Sequence, residues 1–123
     1  MTNYYDAHNH FQDERLAPVL EHSLVELRRH HVRQMVVNGS SEQDWPLVLA
    51  LARAHPEVLP SFGYHPWYIK ERSTDWEQNL AGFLDQIPAG VGEIGLDKWV
   101  RDHDLPDQER VFVAQSYHVV CSP

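Results

Sequence analysis

Short segments typical of strands alternate with longer segments typical of helices, and this alternation constrains the fold more than any other feature of the sequence. Strand patterns fall at residues 4–8, 34–38, 58–64 and 90–96. The helical patterns between and after them are Val19, Leu20, Leu24 and Leu27; "WPLVLALARAH"; Trp76, Leu80, Phe83, Leu84 and Ile87; and Val111, Phe112 and Gln115. Four strand–helix units in succession predict an α/β fold with a parallel sheet and right-handed crossovers.

The composition is typical of one globular domain that needs no covalent reinforcement. A chain of 123 residues with 42% hydrophobic residues can bury a core, and its one cysteine, Cys121, allows no internal disulfide. Because we find no secretory signal and no apolar run of about 18 residues, we expect a cytoplasmic protein that does not enter a membrane. The net charge of -8 disfavours non-specific nucleic-acid binding through a basic face. Any phosphate chemistry would therefore need a metal.

Side chains that can bind metals or transfer protons follow three of the four predicted strands. The first strand leads into "DAHNH", the third into "FGYHP" and the fourth into "GEIGLD". In parallel sheets, ligands collect at the carboxyl ends of the strands. Residues two apart on a strand point to the same face, so Asp6, His8 and His10 should line one wall.

His8 and His10 have the spacing to bind one metal ion together, with Glu93 from the fourth strand as the carboxylate that completes the set. A His-x-His pair near a terminus is also compatible with ordinary solvent-facing polarity. Glu93 favours the metal site, because it lies between glycines in an apolar strand where an unpaired carboxylate would be costly to bury.

Four motifs taken together resemble the TatD family of metal-dependent deoxyribonucleases and related hydrolases. They are "DAHNH", "GYHPW", "VGEIGLD" and "PDQERVFVAQ", and they run in order from Asp6 to about Gln115. The resemblance implies a (β/α)₈ TIM barrel with one or two divalent metal ions, either zinc, magnesium or manganese, at the strand ends. It implies as substrate DNA or another phosphodiester, attacked by a metal-activated water.

The resemblance also implies roles for individual residues. His8 and His10 would bind the first metal, and Glu93 would be both a shared metal ligand and a catalytic residue. His65 would lie near the substrate phosphate, and Asp97 would support the substrate-binding site without binding metal. Lys98 and Trp99 stand where the family commonly has tyrosines, so the substrate pocket is expected to differ here.

The chain departs from the family pattern because it ends before a fifth strand. A complete barrel of this type needs roughly 250 residues, so residues 1–115 are expected to form the first four β/α units, a half-barrel, and residues 116–123 an atypical tail. We expect a homo-oligomer, since a half-barrel leaves its sheet uncovered, and low activity from an incomplete site. Two alternatives are a non-catalytic half-barrel fragment or assembly module, and an amidohydrolase acting on amides or lactones.

Overall fold

The computed structural model describes residues 1–120 and contains four parallel strands, each followed by an α-helix. In chain order they are β1 (Tyr4–Asn9), α1 (Leu20–Arg29), β2 (Val32–Asn38), α2 (Trp45–Ala54), β3 (Val58–Phe62), α3 (Trp76–Leu84), β4 (Gly90–Val91) and α4 (Leu105–Val120). Short 3₁₀ helices span Glu14–Val19 and Ile69–Glu71. The strand order is β1-β2-β3-β4, which confirms the predicted parallel α/β half-barrel.

β4 is much shorter than the predicted segment 90–96. It pairs with β3 only at Gly90 and Val91, and the next two residues leave that register. Gly92 N–H still donates to the Phe62 carbonyl (2.9 Å), but Glu93 N–H donates to the carbonyl of Gly39, beyond the end of β2 (3.0 Å). The prediction of a strand through residue 96 is therefore wrong, because the backbone turns from β3 toward β2 at Glu93.

Gly63, just after β3, makes this turn possible. A Cβ atom at this position would lie 2.8 Å from the carbonyl carbon of Gly92 and 3.0 Å from the carbonyl oxygen of Glu93. The first contact is shorter than side chains tolerate and the second is tight, so glycine lets the two backbones approach this closely. The predicted third strand, 58–64, ends at Phe62 for the same reason: the chain from Gly63 onward no longer pairs as a strand.

One hydrophobic core lies between the sheet and the helices that cover it. Trp45 is its centre: the fully buried indole of α2 packs edge-on against Tyr64 (5.3 Å between ring centroids) and Phe83 (5.7 Å). Its Nε1–H donates to the Gly63 carbonyl at 3.0 Å, which ties the core to the loop after β3. Other buried side chains are Leu24, Met35, Val37, Val48, Phe62 and Leu80.

Both edges of the sheet are open. Within residues 1–120, β1 pairs with β2 alone and β4 pairs with β3 alone. β1 is exposed along almost its whole length, including Tyr4 (57% exposed) and Tyr5 (66%). Among the described residues, no helix combines the length and the apolar character required to cross a membrane.

The predicted atypical tail, 116–123, begins inside α4, which continues without a break to Val120. Ser116 Oγ–H donates to the Phe112 carbonyl one turn earlier (2.8 Å), an ordinary helical contact. Residues 121–123, including Cys121, lie outside the described part of the chain. The boundary at residue 115 stays a prediction.

Candidate metal centre

His8, His10 and Glu93 bring three potential ligand atoms together at the carboxyl end of the sheet. His8 lies in β1, His10 directly follows β1, and Glu93 lies two residues beyond β4. Their ligand atoms all lie within 4.8 Å of one another. Glu93 Oε2 is 3.2 Å from His8 Nε2 and 3.1 Å from His10 Nε2. Two ligands each about 2.1 Å from a tetrahedral ion lie about 3.4 Å apart, so this spacing fits a shared metal ion.

The ring of His10 is oriented for metal binding by the end of β2. His10 Nδ1 lies 2.9 Å from the Asn38 carbonyl, which can only accept, so Nδ1 carries the proton. In the neutral ring, Nε2 then presents a lone pair to Glu93 Oε2 at 3.1 Å. Two electron-rich atoms at this distance repel each other unless a proton or a metal cation lies between them. The donor chemistry of the pair thus fits a bound cation.

Three consecutive carbonyls, at the last residue of β2 and in the loop after it, each accept a hydrogen bond from one residue of the site. The pairs are Asn38 with His10 Nδ1 (2.9 Å), Gly39 with Glu93 N–H (3.0 Å) and Ser40 with His65 N–H (2.9 Å). The loop "NGSS" therefore holds the ends of β1, β3 and β4 against one another. The sequence gives no direct signal for this role, because the contacts use the backbone and not the side chains.

Asp6, expected on the same wall as the two histidines, uses its carboxylate locally. Its Oδ1 accepts from the backbone N–H of His8 (3.0 Å), and its Oδ2 accepts from the side-chain amide of Asn9 (2.9 Å). Among the described residues, the group that could hold a metal comprises His8, His10 and Glu93 without Asp6. Asp6 therefore braces the backbone that carries His8.

His65 faces the other oxygen of the Glu93 carboxylate. Its Nε2 is 3.4 Å from Glu93 Oε1, while Oε2 faces the two other histidines. The backbone N–H of Trp67 donates to His65 Nδ1 (3.1 Å), so Nδ1 carries no proton and Nε2–H is the donor. Burial lowers the pKa of His65 more than the nearby Glu93 carboxylate raises it. His65 is therefore a neutral hydrogen-bond donor that points into the site.

Asp97 connects the loops that follow β3 and β4. Its carboxylate accepts from the indole Nε1–H of Trp67 (2.7 Å) and from the backbone N–H of Trp99 (2.8 Å). The hydrogen bond from Trp67, followed by that from Trp99, lowers the pKa of Asp97. Asp97 lies outside the group of potential metal ligands, and the roles expected for Asp97 and His65 toward substrate stay predictions.

Glu42 holds together the segments that surround the potential metal ligands. Its carboxylate accepts from Tyr64 Oη–H (2.6 Å), Ser73 Oγ–H (2.6 Å), Ser73 N–H (2.8 Å) and Asn79 Nδ2–H (2.6 Å). Although burial raises it, these hydrogen bonds together lower the pKa of Glu42 to about 2. Because it stays ionised, Glu42 ties the loop after β2 to the end of β3 and to α3.

A cleft of about 660 Å³ opens beside the potential metal ligands. His10, His65 and Glu93 lie on its wall, together with Ser40, Trp67 and Tyr68. Clefts of this size are common at small-molecule sites. Bound metal and substrate would share this space with the Nε2–H of His65.

Comparisons with known proteins place the chain in one family. Residues 5–117 match the family described as TatD related DNase. The chain is 28% identical over 109 residues to the uncharacterized metal-dependent hydrolase YjjV of Escherichia coli K12. This alignment covers 86% of this chain and 42% of YjjV. It is 35% identical over 81 residues to the Cut9-interacting protein scn1 of Schizosaccharomyces pombe. This alignment covers 65% of this chain and 22% of scn1.

Solved structures agree with this assignment. The crystal structure of YjjV, described as a TatD homolog, aligns with a TM-score of 0.82 at 28% identity, over 91% of this chain and 44% of YjjV. A TatD family hydrolase from Entamoeba histolytica aligns with a TM-score of 0.86 over 98% of this chain and 47% of that protein; at 15% identity it shows the fold alone. The chain spans less than half the length of these relatives. Since the family match extends from β1 into α4 and includes all three potential ligands, the chain belongs to the TatD related DNase family.

Proposed function

We propose that this chain carries one side of the active site of a metal-dependent hydrolase that cleaves phosphodiester bonds, with DNA as the substrate. The observation that carries the proposal is the convergence of His8 Nε2 and His10 Nε2 on Glu93 Oε2, at 3.2 and 3.1 Å, a spacing that fits three ligands of one metal ion. The family match supports hydrolysis, and the family description names DNases. With a chain net charge of -8, a polyanionic substrate would need metal to offset repulsion.

His8, His10 and Glu93 would hold the ion, and two imidazoles with one carboxylate suit zinc or manganese, with magnesium as the third candidate. A divalent ion in this position supplies an activated water as nucleophile and positive charge against the phosphodiester. Whether the complete site holds one ion or two depends on ligands beyond these three. Glu93 Oε1 faces His65 Nε2 at 3.4 Å, so a second ion at this oxygen would have to displace His65 from it.

His65 would bind the substrate through a hydrogen bond. Its Nε2–H points into the cleft toward Glu93 Oε1, and the bond from Trp67 N–H to Nδ1 fixes this tautomer. A neutral donor beside metal ligands can hold a non-bridging phosphate oxygen without competing for the metal. Asp97 would act indirectly. Its carboxylate accepts from the Trp67 indole (2.7 Å), and this hydrogen bond would hold the loop that carries His65.

We predict that residues 1–115, joined to the remaining half of a TatD-type barrel, will cleave single-stranded DNA and will not cleave amides or lactones. The phosphodiester carries a negative charge that the metal offsets, whereas amides and lactones are uncharged, and the family description names DNases. The measurement is release of nucleotides from a labelled oligonucleotide with added manganese, beside an amide and a lactone panel. Turnover of an amide or lactone with no DNA cleavage would favour the amidohydrolase alternative.

We further propose that the 123-residue chain is a homo-oligomer in the cytoplasm, with two copies covering each other's open sheet edges. The proposal is supported by β1, which is paired on one side only and carries Tyr4 and Tyr5 more than half exposed. Unpaired strand edges and contiguous apolar surface favour association. A second copy offers the same exposed elements, so the two sheets could extend each other.

The expected species in light scattering at low micromolar concentration is a dimer or a larger assembly. Tyr5→Lys should shift it toward monomer, because it places a charge on the edge strand. Val25→Lys is the matched control: Val25 is 54% exposed on α1 and belongs to no strand, so this change should leave the assembly intact. A compact wild-type monomer, or equal effects of the two lysines, would contradict this prediction.

A further inference from the structure

Two buried glutamines of α4 hold the loops that carry the site. Gln108 Oε1 accepts from the Asp97 N–H (2.7 Å), and Gln108 Nε2–H donates to the Asp97 carbonyl (2.9 Å). Gln115 makes the same pair of contacts with Tyr64, at 2.5 and 3.3 Å. The two side chains are 2% and 1% exposed. Each amide thus does for one loop residue what a neighbouring strand would do: it satisfies both the N–H and the carbonyl.

The spacing of the two glutamines places both contacts on one side of α4. Seven residues are about two helical turns, so Gln108 and Gln115 lie on the same face about 10 Å apart. Val111, between them, is also buried, which shows that this face packs against the domain. A rigid helix therefore sets the distance between the loop after β3, held at Tyr64, and the loop after β4, held at Asp97.

Both contacts lead to His65. Gln115 holds Tyr64, the residue directly before His65. Gln108 holds Asp97, whose carboxylate accepts from the Trp67 indole, and the backbone N–H of Trp67 donates to His65 Nδ1. One path fixes the backbone at His65 and the other fixes its ring. They converge on the contact between His65 Nε2 and Glu93 Oε1, at 3.4 Å.

The chemistry favours an amide at both positions. An N–H and a carbonyl left without partners would cost free energy at Tyr64, which is buried, and less at Asp97, which is half-buried, and a side chain with one donor and one acceptor satisfies both. Glutamate could accept from the N–H, but its second oxygen would face a carbonyl. Methionine would fill the volume and leave both backbone groups unpaired. Replacing glutamine by methionine therefore tests the hydrogen bonds of each glutamine separately from its packing.

We propose that Gln108 and Gln115 are positioning residues for the metal site, which they serve by fixing the His65 ring against Glu93. Because His65 occupies Glu93 Oε1, the carboxylate presents Oε2 to His8 and His10. Loss of either glutamine would free the His65 ring to rotate. Glu93 would then lose the contact at Oε1 that leaves Oε2 facing His8 and His10. The inference rests on the proposed function of the His8, His10 and Glu93 group.

The test uses the 123-residue chain and its Gln115→Met and Gln108→Met variants. Titration with Mn²⁺ alone measures affinity, and ¹⁵N NMR of the metal-free protein reports which ring nitrogen of His65 carries the proton. We expect an Nε2–H tautomer in the wild type and an averaged or altered ring signal in each variant. Manganese affinity should fall by about tenfold, as for other groups that orient metal ligands.

Controls separate positioning from general stability. Val48→Ala removes buried volume from α2 and none of these hydrogen bonds, so it should lower the unfolding midpoint but leave the His65 signal and manganese affinity unchanged. His65→Gln should weaken manganese binding, and Gln115→Met added to it should weaken binding no further, since both act through the same contact. Additive losses, or a wild-type tautomer and affinity in both methionine variants, would overturn the proposal.

The two measurements distinguish failure of the proposed metal site from failure of the positioning role. If the wild type binds no manganese, the proposed function fails, while the His65 tautomer in metal-free protein still decides the positioning role. If Gln115→Met does not fold, Gln108→Met and Gln115→Glu decide it. Gln115→Glu keeps the acceptor for Tyr64 N–H and loses the donor to the Tyr64 carbonyl, so a wild-type tautomer in that variant would contradict a need for both contacts, whereas an altered one supports the full clamp.

Discussion

The 123-residue chain should hydrolyse single-stranded DNA at a rate barely above background with added magnesium or manganese, whereas a chain that continues through the rest of the barrel should be active. The physical reason is the share of the site that these residues supply. The chain covers 44% of the YjjV structure, and its described ligands come from the ends of β1 and β4. In a TIM barrel the catalytic residues come from the ends of several different strands, so four strands supply only part of the site.

A site that lacks some of its catalytic residues should lose more of its hydrolysis rate than the number of missing residues suggests. Residues that act as a unit are not additive, and loss of one catalytic group typically costs several orders of magnitude. The comparison is between the 123-residue chain and residues 1–115 followed by the second half of a TatD-type barrel. That half is taken from YjjV. Nuclease rates at matched protein and metal concentrations are the measurement.

Glu93 provides the internal control for the longer chain. Glu93→Gln removes the negative charge but keeps the side-chain shape, so activity should fall by several orders of magnitude while the fold survives. Glu77→Gln is the matched change, since Glu77 is an exposed carboxylate on α3, and it should leave the rate unchanged. Robust cleavage by the short chain that depends on Glu93 would contradict the prediction, and would require a site completed between two copies.

The order of strands and helices could be predicted from the sequence because each element carries its own local pattern. The alternation of β1 and the apolar run of α2 depend on residues next to one another in the chain. The end of β4 could not be predicted, because it is set by a contact between Glu93 and Gly39 that only the folded chain brings together. Gly63, which permits this approach, lies inside the predicted third strand, 58–64, and nothing next to it in the sequence indicates the close contact.

The candidate ligands could be predicted for a different reason. Strand alternation put His8 and His10 on one face, and a carboxylate at Glu93 in an apolar strand required a partner. What held these residues in place was not predictable: the carbonyls of Asn38, Gly39 and Ser40 act through the backbone, which every sequence shares. Gln108 and Gln115 do carry a signal, since two amides seven residues apart interrupt the buried face of α4.

Metal binding by the 123-residue chain should show one weakly held divalent ion per chain, and it should be lost in His8→Ala and in Glu93→Gln. Three protein ligands suffice for an open site, and the donor atoms already lie within 4.8 Å of one another. Even groups that only orient ligands cost about 10- to 100-fold in affinity when removed, so deleting a direct ligand should cost more than about a hundredfold.

Calorimetric titration with zinc or manganese, with elemental analysis of protein purified without chelator, measures both stoichiometry and affinity. His22→Ala is the matched control, because His22 is an exposed histidine on α1 outside the group of potential ligands. Unchanged binding in His8→Ala would assign the ion to another site. No binding in the wild type would mean that a proton, and not a metal, occupies the contact between His10 Nε2 and Glu93 Oε2, and the chain would then be a structural relative of these hydrolases without their chemistry.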